Sequence, residues 1–156
     1  MFMPLQSRYS FRQRNRMKGI FPILLFLSIW PAGAFGQVAV IANPSVPVDT
    51  ITNNELLDFY SRDIRLWNNN KPVTVFDLKP KGEVKEAFYA FLGKSTSRMK
   101  SIWMKKMLSG EGDPPAALNS EEDMLNKVSL TPGAIGFVQL KLVTQSVKVL
   151  AVIESK

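Results

Sequence analysis

The stretch "SLTPGAIGFVQL", residues 129–140, decides how this chain folds. Ala134 to Val138 is a short apolar run of the kind that fills a buried strand, and Thr131-Pro132-Gly133 in front of it is a turn signal. Yet Gly133 and Gly136 bracket Ala134 and Ile135. Glycine weakens a strand unless the backbone must bend there or something must come close to it. Two glycines here therefore ask for a bend, or for close approach by another backbone or by a ligand.

The pattern on either side agrees with a strand in an alternating fold. "SEED" at 120–123 has the Ser-x-x-acid spacing of a helix start and precedes Met124, Leu125 and Val128. "VKVLAVI" at 147–153 is a second apolar, β-branched run. Further upstream, "VAVIAN" (38–43) and "PVTVFDL" (72–78) read as strands. "TNNELLDFY" opens with a capping box at Thr52 and Glu55. Val84, Phe88, Phe91 and Leu92 share one face of a helix that stops at Gly93, and Met99, Ile102, Trp103 and Met107 share one face of a helix from Thr96 to Leu108. "SGEGDPP" is a loop by composition. Strands alternate with helices without a repeat, which places the chain in the α/β class with an open, mainly parallel sheet and helices on both faces.

Composition narrows the chemistry. The 156 residues contain neither cysteine nor histidine, which excludes a thiol nucleophile, a Ser-His-Asp triad and the usual zinc sites. The net charge of +7 is lopsided: residues 1–36 carry Arg8, Arg12, Arg14, Arg16 and Lys18 and no acid. The remainder is nearly neutral, so no nucleic-acid partner is expected. Those same 36 residues read as a cleavable export signal, with a basic stretch, the apolar run "IFPILLFLSIW" and small residues at Ala34 and Gly36. The run is well short of the roughly 20 residues a membrane-spanning helix needs. A mature domain over 37–156, periplasmic and with no stable membrane span, is the expectation; a start at Met17 would leave a signal of ordinary length.

At this point "TPGAIGFV", together with Tyr60, Ile64 and Trp67 of "YSRDIRLW", resembles the phosphate-binding proteins of bacterial phosphate transporters, which have the type II periplasmic-binding-protein fold. The resemblance covers nearly all of the mature chain and about one lobe of that two-lobed family, and it implies that Gly133 and Gly136 let the strand turn sharply at an edge of the sheet rather than touch a ligand. It implies a solute-binding-protein-like lobe, not an enzyme and without a cofactor, accessory to phosphate or other oxyanion binding, uptake or sensing. The alternative is a periplasmic protein-interaction module, or a self-associating one, that has lost its ligand. In the family an anion loop, "R-D-x-G-S-G-T", precedes a helix. Here "KPKGEV" stands in its place, with Gly82, Glu83 and Val84 where the family has serine, glycine and threonine. The resemblance thus points to an anion seat at Lys79, Lys81, Gly82, Glu83 and Val84, resting on backbone donors and two lysines. A solvated lysine loop with a glutamate matched to the helix dipole is the other reading. Trp67, Trp103, Phe88, Tyr89 and Phe91 read as core, "GEGD" at 110–113 lacks the ligand spacing of a calcium loop, and nothing in the pattern places Asp58, Asp63 and Asp77 together.

Overall fold

Strands β1 (Val38–Ala42), β2 (Thr74–Leu78), β3 (Ala116–Leu118), β4 (Ala134–Gln139) and β5 (Lys148–Ile153) alternate with helices α1 (Asn53–Tyr60), α2 (Glu83–Phe91), α3 (Thr96–Leu108) and α4 (Glu121–Leu130) in the computed structural model, which describes residues 36–154. The export signal expected over residues 1–36 lies outside them, Gly36 excepted. The strands form one sheet in the order β3-β2-β4-β1-β5. Because β2 runs parallel to β3 and β4, and β1 runs antiparallel to both β4 and β5, four strands share a direction and β1 alone opposes them. The expected α/β class and mainly parallel sheet are present.

The glycine-bearing strand lies in the middle of this sheet, not at its edge, and each glycine has its own reason. Gly133 has φ +73, and a Cβ there would collide with the Pro72 carbonyl oxygen and sit 3.4 Å from Trp67 Nε1. A Cβ on Gly136 would run into the Met124 sulfur and come within 3.1 Å of Val128 Cγ2. Gly136 is therefore the place where α4 settles onto the sheet. Its neighbour Phe137 points to the opposite face, where its ring stacks on Phe88 of α2 at 4.0 Å between centroids. Tyr60 of α1 packs edge-on to Phe88 at 4.8 Å, and its hydroxyl donates to the Phe76 carbonyl at 2.8 Å. Helices thus cover both faces, and every residue of β1 is buried.

Local chemistry sets the helix ends. Thr52 and Glu55 form the complete capping box at α1, while Ser95 and Ser120 cap α3 and α4. Gly93, at φ +68, ends α2 in a Schellman motif: its N–H donates to Ala90 O, and the Lys94 N–H to Tyr89 O. Phe88 and Trp103 are core, at 0% and 8% exposure. Strand β3 was not legible in "DPPAALN": it is three residues long and exists by pairing with β2, so no periodicity announces it.

The two segments that carry the family resemblance meet in space. Trp67 Nε1 donates to the Gly133 carbonyl at 3.0 Å, and Ser45 Oγ accepts from the Gly133 N–H at the same distance. The buried Asn43, at the end of β1, donates through its amide to the carbonyls of Val128 and Ser129. These bonds fix the turn into β4, so "YSRDIRLW", "VAVIANP" and "TPGAIGFV" are parts of one structural corner.

Candidate functional site

A site in an open α/β sheet is sought at the carboxyl ends of the parallel strands, where loops lead into helix starts. Here β2 ends at Leu78, and the loop of residues 79–82 leads into α2. Two concavities flank that loop. A crevice of about 490 Å³ lies between the starts of α2 and α4 and is lined by Lys81, Gly82, Glu83, Val84, Glu121 and Glu122, among others. A groove of about 650 Å³ lies between α2 and the start of α3, bordered by Lys81, Gly82, Lys85, Lys94, Lys100 and the hydroxyl residues 95–97.

Of the residues expected at the anion seat, Lys81 and Gly82 border both concavities, and Glu83 and Val84 border the crevice. Lys79 borders neither; its N–H donates to the Leu118 carbonyl at 2.8 Å and so prolongs the β2–β3 ladder. Gly82 is the N-cap of α2 in extended backbone. Among the described α-helices, α2 is the one whose start no side chain caps, so its first N–H groups open toward the loop. The start of α2 therefore offers backbone donors to the loop.

The charges divide between the two sides. Glu83, Glu121 and Glu122 border the crevice, and Glu121 already accepts from the Gln139 N–H at the end of β4. An incoming oxyanion there meets three carboxylates against Lys81 and Lys85, the latter already paired with Asp77. The groove holds Lys81, Lys94 and Lys100, besides the paired Lys85, to one glutamate, Glu86, and is the side on which an anion meets favourable charge.

Sequence reasoning missed what stands beneath the loop. Asp77, the penultimate residue of β2, and Lys85, in the first turn of α2, are both buried and form an ion pair at 2.8 Å. Asp77 also accepts from the Leu78 N–H at 2.8 Å, and Lys85 also donates to the Leu78 carbonyl. A signal was available: Lys85 lies three and four residues before Phe88 and Tyr89, hence on the apolar face of α2, and a lysine there requires a carboxylate nearby. Burial, and secondarily the charge of Asp77, pushes the Tyr60 phenol well above its ordinary pKa; the same two causes in the same order push up that of Tyr89. Of the three aspartates that the pattern did not place together, Asp63 pairs with Lys106 at the surface and Asp77 with Lys85, while Asp58 takes no side-chain partner among the described residues. No cluster of three or more metal-ligating side chains occurs among the described residues, and no helix there is long and apolar enough to cross a membrane.

No protein-family model matches this sequence, and neither does any curated protein. Solved structures do. A Clostridium perfringens protein of the phosphate ABC transporter substrate-binding type, solved with bound phosphate, superposes with a TM-score of 0.61 at 17% identity, over 75% of this chain and 46% of that one. A Vibrio cholerae ABC-type phosphate transport receptor gives 0.58 at 19%, over 75% and 47%, and PstS from Borrelia burgdorferi gives 0.55 at 15%, over 74% and 47%. The fold is that of one phosphate-binding-protein lobe. This chain spans a little under half the length of those structures. Its uncapped α2 start and the two concavities beside it stand at the carboxyl end of β2.

Proposed function

We propose that this chain is an exported, periplasmic solute-binding-protein-like lobe, not an enzyme, that serves phosphate or oxyanion uptake or sensing as an accessory and is not by itself a tight receptor. The observation that carries this reading is the uncapped start of α2 at the end of β2, beside a groove lined by Lys81, Lys94 and Lys100. Backbone N–H groups and lysines together suit an oxyanion. An open groove on one lobe leaves most of such a ligand in water, whereas a tight site buries roughly 70–90% of it. Weak recognition by this chain alone follows, with a partner protein or a second copy needed to close the site. Uptake of labelled phosphate at limiting concentration, in cells with and without the chain, tests the role. Reduced uptake or an altered phosphate response supports it, and identical behaviour in both strains contradicts it.

One observation favours the second reading, a protein-interaction module without ligand. Toward its C-terminal end α3 exposes Met104, Met107 and Leu108 beside Lys100 and Lys105; Leu108 is 79% exposed, and Met107, expected on the face of Met99 and Trp103, is 45% exposed. Charge substitutions at Met104 and Leu108 that abolish the phosphate phenotype, where Lys81→Ala and Lys94→Ala leave it intact, would favour that module over the oxyanion accessory.

A further inference from the structure

The Asp77 carboxylate sits in surroundings that a free anion would also find favourable. Its Oδ1 accepts from the Leu78 N–H at 2.8 Å and its Oδ2 from the Lys85 ammonium at 2.8 Å. Tyr89 lies beside this pair: the Lys85 ammonium stands 5.9 Å from the centre of its ring, its buried hydroxyl has no hydrogen-bond partner among the described residues, and burial first, then the charge of Asp77, holds the phenol proton on. A carboxylate has about four acceptor positions. The pocket thus contains a cation, a backbone donor and an unspent hydroxyl donor gathered around one small negative group.

Stability is a weak reason for such an arrangement, because a buried ion pair roughly balances the cost of desolvating its members. Access is another matter. Lys85 borders the 650 Å³ groove, and it borders the 490 Å³ crevice as well, so the residue that holds Asp77 is reached from both openings.

We propose that Asp77 is a built-in anion: its carboxylate fills a seat formed by the Leu78 N–H, the Lys85 ammonium and the Tyr89 hydroxyl, and this seat takes a small oxyanion of the carboxylate or phosphate class once the aspartate side chain is removed. Asp77 is then the residue that closes the deepest anion site of the lobe to free ligand and leaves only the surface lysines to meet phosphate. The inference rests on reading the start of α2 as an anion-handling surface, and it explains why that surface is weak.

The test compares wild type, Asp77→Ala, and Asp77→Ala combined with Lys85→Met or Tyr89→Phe. Thermal melts are recorded against rising formate or phosphate, with chloride holding ionic strength constant. The expected result is a saturable rise in the melting temperature of Asp77→Ala with formate and phosphate, and no such rise in wild type. Adding Lys85→Met should weaken the apparent affinity about tenfold or more, as loss of a charge-assisted hydrogen bond does, and Tyr89→Phe should weaken it less. Should Asp77→Ala not fold in chloride, formate must restore its far-ultraviolet circular dichroism. A variant that responds to formate no more than wild type does, or that formate fails to refold, overturns the proposal. Tight phosphate binding by wild type would instead contradict the accessory role and leave this seat untouched, so the two readings fail separately.

Discussion

Replacing Gly133 by alanine asks whether the central strand owes its glycine to backbone conformation alone or also to close approach. Two terms add. Alanine at φ +73 takes a left-handed conformation that costs an L-residue about 1–2 kcal/mol. Its Cβ must also push away the Pro72 carbonyl oxygen, which is backbone and cannot rotate aside, and overpacking of that kind costs typically about 1–3 kcal/mol. The Thr74 N–H and Trp67 Nε1 both donate to the Gly133 carbonyl, so any shift also loosens the entry of β2 and the indole. The expected loss is about 2–5 kcal/mol. Gly93 supplies the control within the same molecule: it has φ +68, yet a Cβ there meets nothing within 4 Å. Gly93→Ala should therefore lose only the conformational term, about 1–2 kcal/mol. Urea melts at matched m-values measure both. Equal losses at the two positions would refute the close-approach argument, and a loss near zero at Gly133 would refute the left-handed turn itself.

Other consequences are as direct. Phe88→Ala, which removes a fully buried ring stacked on Phe137, should cost about 3–5 kcal/mol in the same melts, whereas a loss under about 1 kcal/mol would mean the helix face is not core. Thr52→Ala breaks the capping box of α1 and should cost about 0.5–2 kcal/mol, with Glu55→Gln costing less. Acid should destabilise the fold in a defined window. Hydrogen bonding from Lys106 and then Ser61 holds the Asp63 carboxyl below its ordinary range, so its contribution is present above the unfolded value and is lost as pH falls below about 4 through the folded one. Asp63→Asn should flatten that limb of a stability–pH profile, and an unchanged limb would mean the surface pair contributes nothing.

The fold was largely legible because each element announces itself locally. Thr52-x-x-Glu55 marks one helix start, Gly93 marks a helix end, and the spacing of Met99 and Trp103 gives the buried face of α3. What local pattern cannot express is which strands become neighbours. The opposed direction of β1, the central place of β4 and the existence of β3 all arise from pairing between distant segments. The site was legible in part for a similar reason. Lys81, Gly82, Glu83 and Val84 are contiguous and could be aligned to a loop, but the groove joins that loop to residues 94–97 across the length of α2. Asp77 looked like an ordinary member of a strand, and only the fold brings Lys85 over it.

The central claim is that this lobe handles oxyanions without being a tight receptor on its own, and calorimetric titration of the purified domain with inorganic phosphate at low salt tests it most directly. The expected result is a dissociation constant of about a millimolar or weaker, since only backbone donors and exposed lysines remain to meet the ligand. Micromolar or tighter binding by the isolated chain that Lys81→Ala abolishes would contradict the account and make it a complete receptor.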